Sequence, residues 1–174
     1  MGLDFKDSKD AQDFLKQLGA PTKLINHVAL VSEAGELLIE KLTQLNVKFD
    51  EKLVKLAIIF HDTGKIIHLQ ELTEPGNNHE PEGERLLLEY GVEPKIARCC
   101  LSHARWRDLP CSFEELLVAL SDKLWKGVRV EELELKIIDK VAELMGKSRW
   151  EIFIELDSCF EMIASDGVDR LLRS

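Results

Sequence analysis

Residues 21–45 read PTKLINHVALVSEAGELLIEKLTQL, with a stripe at Leu24, Val28, Val31, Gly35, Leu38, Leu42 and Leu45. Steps of three and four residues put these positions on one face of an α-helix. Pro21 suits the opening turn, where a backbone N–H needs no partner. The same period runs outward in both directions. Ala11, Phe14, Leu15 and Leu18 recur at helical spacing and stop at Gly19. Asp50 caps a segment from Glu51 to about His61, and His79 to Tyr90 forms another, ending at Gly91. Pro94 opens a helix that ends near His103. Ser112-Phe113-Glu114-Glu115 and Ser148-Arg149-Trp150-Glu151 have the form of capping boxes, and open helices reaching about Trp125 and about Ala164. Val130 to Met145 is helical and stops at Gly146, and a short helical turn closes the chain. No strand-like alternation and no long repeat interrupts this pattern. The expectation is an all-α helical bundle, one domain over residues 1–174.

Composition narrows the function classes. The chain has 174 residues, 45% hydrophobic and 32% charged, enough to build a core and stay in solution. Its net charge of −9 repels phosphate backbones, so a nucleic-acid polymer is not expected as partner. A small anionic ligand is compatible, because one local cationic site outweighs distant charge. No apolar run approaches the roughly 18–20 residues of a membrane span. The N-terminus lacks a basic flank followed by an apolar block, so no signal peptide is expected. Cys99, Cys100, Cys111 and Cys159 include no C-x-x-C pair and read as reduced thiols, which points to the cytoplasm. Thr63 to Asn78, with Pro75-Gly76-Asn77-Asn78, reads as a long irregular stretch of the functional kind.

The chemistry lies in the histidines. His61-Asp62 closes the apolar helix that begins at Glu51, where the negative helix end favours a cation. Gly64 follows at a place that suits a residue tolerant of positive φ. His27 sits among Leu24, Val28 and Val31, and reads either as a satisfied core histidine or as a ligand. Asp122 lies among Ala119, Leu120 and Leu124; it is either a water-exposed border residue or a buried carboxylate that needs a partner or a metal. Two imidazoles and two carboxylates make a mixed nitrogen and oxygen set suited to a divalent cation.

The order His27, His61-Asp62, Asp122 resembles that of the HD-domain metal-dependent phosphohydrolases. His61-Asp62-Thr63-Gly64-Lys65 is similar to the H-D-I-G-K string of one large subgroup, and His79-Glu80-Pro81-Glu82-Gly83 and His103 agree in order. The resemblance covers about residues 24–126 and leaves about 130–174 as covering helices. It implies the HD bundle, with His27, His61, Asp62 and Asp122 as ligands of a primary metal. It implies His79 and His103 in a second site bridged by Asp62. Many binuclear members pair two histidines where this chain has His103-Ala104, so one- and two-metal occupancy both stand. His79 and His103 read otherwise as helix-end residues, and His68 has no counterpart.

By the same resemblance the activity is hydrolysis of a small phosphorylated metabolite, a nucleotide and a phosphomonoester being favoured. Asp62 would orient the attacking water and Lys65 would neutralise phosphoryl charge. Arg105 and Arg107 are further substrate-binding candidates that read equally as surface charges. Manganese, iron, cobalt, nickel, magnesium and zinc all accept such ligands. The alternatives are a phosphodiesterase acting on cyclic nucleotides and a non-catalytic nucleotide-sensing domain. A buried polar network without metal is a third. Trp106 reads as packing under the loop before Pro110, and Trp125 and Trp150 as helix-packing residues. The apolar stripes Leu133, Ile137, Val141, Leu144 and Ile152, Leu156, Phe160, Ile163 either cover the bundle or form a homodimer face.

Overall fold

In the computed structural model, which describes residues 2–174, the opening stretch forms helix α2 (Thr22–Gln44), preceded by α1 (Ser8–Gln17). The stripe from Leu24 to Leu42 is buried as expected, and the helix ends where Asn46 takes a left-handed φ of 58°. Asparagine tolerates that conformation better than other side chains with a Cβ. Helix α3 (Glu51–Phe60) is started by the Asp50 carboxylate, which accepts the Leu53 N–H at 3.0 Å. Val54 and every residue from Leu56 to Phe60 are buried, so α3 is apolar around most of its circumference and takes the centre of the bundle. It packs on α1, α2 and α7 (Phe113–Leu124). At the α2–α3 crossing a Cβ on Gly35 would lie 2.4 Å from Ile58 Cδ1, so the close approach depends on the missing side chain.

The remaining helices are α4 (His79–Glu89), α5 (Pro94–Ala97), α6 (Cys99–Arg105), α8 (Glu131–Met145), α9 (Arg149–Ser165) and α10 (Gly167–Leu172). Among the described residues the only β feature is an isolated bridge between Leu3 and Val92, and the all-α expectation stands. Both predicted capping boxes form, at Ser112/Glu115 and Ser148/Glu151. No helix among the described residues is long and apolar enough to cross a membrane.

Two segments between Phe60 and Phe113 differ from expectation. Thr63–Asn78 is not irregular throughout: it holds 3-10 turns at Thr63–Ile66 and Leu69–Leu72. The helix opened by Pro94 is divided at Arg98, where the ladder tightens to a three-residue step (Leu101 N–H to Arg98 C=O, 2.9 Å), and it runs on past His103 to Arg105.

The core forms two apolar clusters. The larger is built on α2, α3, α7, α8 and α9; the smaller joins α1, the start of α2, one face of α3 and the α4–α6 segment. Leu24 and Val28 belong to the smaller cluster and Leu30 and Val31 to the larger, so His27 lies at their boundary.

The C-terminal stripes bury Leu133, Ile137, Val141, Ile152, Leu156, Phe160 and Ile163 within the chain itself, with α8 on α7 and α9 on α2. Leu144 is exposed instead, because the four-residue step from Val141 carries Met145 to the core. Trp150 is also a correction: it lies 73% exposed on the first turn of α9, while Ile152 points inward.

Arg129 ties this cover down. Its guanidinium donates to Glu134 (2.8 and 2.9 Å), Asp157 (2.6 Å) and Glu161 (2.5 Å), and Glu134 is buried. Arg129→Met leaves that carboxylate without its charge partner. The expected loss is about 2 kcal/mol, less than for a fully buried pair because water reaches the arginine. Urea unfolding measures it, and cation binding should be unchanged.

Candidate metal centre

Six side chains from five segments converge where the two apolar clusters meet. α2 supplies His27, the end of α3 supplies His61 and Asp62, α4 begins with His79, α6 supplies His103, and α7 supplies Asp122. Three groups form in which one ligating atom from each residue lies within 4.8 Å of the others: His27/His61/Asp62, His61/His103/Asp122 and Asp62/His79/His103. Asp62 is the hub. Its Oδ2 lies 3.0 Å from His27 Nε2 and 3.6 Å from His61 Nε2, and its Oδ1 lies 3.2 Å from His79 Nε2 and 3.5 Å from His103 Nε2. Asp122 Oδ1 is 3.4 Å from His61 Nε2 and 3.8 Å from His27 Nε2.

Three of the four imidazoles are held from behind. His61 Nδ1–H donates to the Ile58 carbonyl (2.7 Å) and His103 Nδ1–H to the Cys99 carbonyl (3.0 Å), one helical turn back in each case. His79 Nδ1–H donates to the Glu71 carboxylate (2.5 Å). A ring that donates through Nδ1 can present a lone pair at Nε2, and all three Nε2 atoms face Asp62. The His27 ring is packed edge-on against Trp125, with centroids 5.0 Å apart. His27 Nε2, His61 Nε2 and Asp62 Oδ1 are buried and without a hydrogen-bond partner. Orphaned polar atoms of that kind are costly in a protein interior. A divalent cation would satisfy all three, so these residues fit a bound metal.

The charges reinforce one another. Burial pushes the Asp62 carboxyl up, but His61, His27, His79 and Lys65 outweigh it and hold the group well below the usual carboxylate range. Asp122 is likewise held low, its burial outweighed chiefly by His61. Burial disfavours the His61 imidazolium, yet Asp62 and Asp122 raise it; His79 is raised by Asp62 and Glu71 in the same way. His103 is pushed down to about 4 by burial and by His61, which leaves it neutral near pH 7. In the metal-free protein the raised histidines add stability below their unfolded value of about 6.5, and that stability is lost as pH rises through their folded values. A cation must displace these protons. Binding of Co2+ at pH 6.5 is therefore expected to release protons, measurable in weakly buffered solution, and affinity should rise with pH.

Of the three cations singled out in the sequence, Lys65 alone pairs with a cluster residue, its Nζ 2.6 Å from Asp62 Oδ2. Arg105 is engaged through Nε by the buried Glu80 (2.5 Å). Arg107 turns to Glu132 on α8 (2.8 Å) and lies over the buried Trp106 ring. His68, which sequence left without a role, has a buried Nε2 with no partner. Sequence reading passed over Glu71 and gave no role to Glu80, because acidic residues in polar stretches carry no periodic signal.

Gly64 serves a different purpose from the one expected. Its φ is not positive; instead a Cβ there would lie 1.8 Å from the His79 carbonyl oxygen and 2.7 Å from Gly83 N. Gly83 in turn faces Gly64 N at 2.8 Å and Cys100 Sγ at 3.0 Å from its own would-be Cβ. The two glycines let α4 lie against the turn after Asp62, and this contact carries His79 to the cluster.

Comparison with known proteins bears on this arrangement. A family model described as HD domain matches residues 24–144, from the first turn of α2 to the last turn of α8. No curated protein matches the chain, and no solved structure does.

Proposed function

The chain belongs to the HD-domain family, whose members are generally metal-dependent phosphohydrolases, and on that premise we propose that it hydrolyses a small phosphorylated metabolite, with a nucleotide monoester as the favoured substrate. The observation that carries the reading is the set of orphaned buried atoms on His27, His61 and Asp62. His27, His61, Asp62 and Asp122 would hold one divalent cation, and Asp62, His79 and His103 a second. When bound, such a cation supplies Lewis-acid charge that makes water a competent nucleophile near neutral pH.

The protein's own groups do the rest. Asp62, held as a carboxylate, accepts a hydrogen bond from the attacking water and orients it. Lys65, beside Asp62, sets a fixed positive charge against the phosphoryl oxygens, where negative charge grows in the transition state. A P–O bond forms to water, the ester P–O bond breaks, and the leaving oxygen departs as an alcohol, taking up the proton that the attacking water gives up.

His27, Lys65 and Asp122 have side-chain exposures of 19%, 18% and 12%, whereas Asp62 and His61 are at 3% and 0%. A small substrate would reach the cluster from this partly exposed His27–Lys65–Asp122 side. The net charge of −9 also argues against a polymer.

The test is a screen of phosphorylated metabolites with phosphate detection, in chelator and with Mn2+, Co2+ or Mg2+ restored. Nucleoside monophosphates should release phosphate only with metal. A cation at about 100 times its Kd should also stabilise the fold by about 2.7 kcal/mol. For a chain of this length that is a rise in Tm of roughly 5–10 °C. Phosphate release that persists in chelator rejects the reading, and nucleotide binding without any release would favour a sensing domain.

A further inference from the structure

The Glu71 carboxylate is buried on the second 3-10 turn, seven and eight residues before the partners it holds. Its Oε1 accepts from the Asn78 N–H (3.1 Å) and the Asn78 side-chain amide (3.0 Å). Its Oε2 accepts from the His79 N–H (3.1 Å) and from His79 Nδ1–H (2.5 Å). The Pro75-Gly76-Asn77-Asn78 turn closes around it: a Cβ at Gly76 would lie 2.4 Å from Glu71 Cδ and 2.5 Å from Oε1. The chain thus builds a fitted cradle for one carboxylate and aims it at the back of one imidazole.

That imidazole differs from its neighbours. His61 and His103 are held by neutral backbone carbonyls, whereas His79 is held by an anion. A carboxylate behind a histidine fixes the ring, fixes the nitrogen that carries the proton and makes the opposite nitrogen a stronger donor. His79 Nε2, the nitrogen so strengthened, points at Asp62 Oδ1. We propose that Glu71 is a positioning residue which, acting through His79, sets the affinity of a divalent cation at the Asp62–His79–His103 end of the cluster. The proposal rests on the metal-centre reading above and adds to it a division of labour: the His27–His61–Asp122 end does not depend on Glu71. A simple cap on the start of α4 would use the two backbone contacts but not the contact to Nδ1.

The experiment is a titration of the metal-free full chain with Co2+, followed by visible absorption and calorimetry. Wild type is compared with Glu71→Ala, Glu71→Gln, Gly76→Ala, His79→Ala and the double variant Glu71→Ala/His79→Ala. Glu71→Ala should weaken one class of Co2+ site by about 10–100-fold and alter its absorption bands, leaving a second class at wild-type affinity. Gly76→Ala, which pushes against the carboxylate, should shift the same class in the same direction. Glu71→Ala should add nothing to the loss already caused by His79→Ala, since the carboxylate acts through that ring. Should Glu71→Ala not fold, Glu71→Gln, which keeps the volume and removes the charge, carries the comparison. Wild-type Co2+ affinity and spectrum in Glu71→Gln and Gly76→Ala overturn the proposal and reduce Glu71 to a helix cap. A single Co2+ site indifferent to both His79 and Glu71 overturns it while leaving the phosphohydrolase reading intact. No Co2+ binding by wild type overturns both.

Discussion

Asp62→Ala is expected to leave a folded chain that no longer holds a divalent cation and releases phosphate at least about 10³-fold more slowly, a loss of about 4 kcal/mol in transition-state stabilisation. The size follows from geometry. Asp62 faces the Nε2 atoms of His27, His61, His79 and His103 and also pairs with Lys65, so one truncation removes a contact from every one of them. It belongs to two of the three candidate ligand groups, and the third, His61/His103/Asp122, loses the neighbouring negative charge. Elemental analysis after dialysis against Mn2+ measures the first effect and phosphate detection the second. Asp62→Asn keeps the volume and separates charge from packing; it should lose cation affinity nearly as fully. A variant at 62 with wild-type metal content and turnover would mean that the centre lies elsewhere.

Gly64→Ala is expected to cost about 3 kcal/mol or more, lowering Tm by roughly 6–12 °C. The added methyl meets backbone, the His79 carbonyl and Gly83 N, and backbone in two packed elements cannot turn aside as a side-chain tip can. Relief requires α4 to move away from the turn after Asp62. Since α4 begins with His79, the same movement should weaken cation binding at the Asp62–His79–His103 end. Gly146 is the control. It sits in the left-handed region at φ 64° with nothing within 4 Å of an added Cβ, so Gly146→Ala should cost only about 1 kcal/mol and leave the centre untouched. Equal melting temperatures for Gly64→Ala and wild type would contradict the packing described.

How far the chain's text carries can be judged from these same residues. The helices were legible because burial imposes a local period: Leu24 to Leu42 repeat at the spacing that one buried face demands, whereas the unbroken apolar run Leu56 to Phe60 has no such period and was placed by its Asp50 cap. Asp50, Ser112 and Ser148 were legible as caps because capping chemistry is confined to a few neighbouring residues. The order of His27, His61-Asp62 and Asp122 pointed to a cation through its resemblance to the HD-domain family, whereas the residue types alone left a core histidine and a border carboxylate open. Gly64 was legible as a residue with a special need, but the need was misread. A tight turn and a close approach leave the same letter in the chain, and only the partner, the His79 carbonyl, tells them apart.

The letters alone settled the class of the fold and the kind of atoms offered to a ligand, because both follow from side-chain chemistry and from spacing along a single helix. Which imidazoles share an oxygen, that Glu71 stands behind His79, that Lys65 faces the cluster while Arg107 turns to Glu132, and that Trp150 lies outside were decided by packing between segments far apart in the chain. Such contacts have no period to read. They depend on how closely helices approach, and here that distance is set where Gly64 meets α4 and Gly35 meets α3.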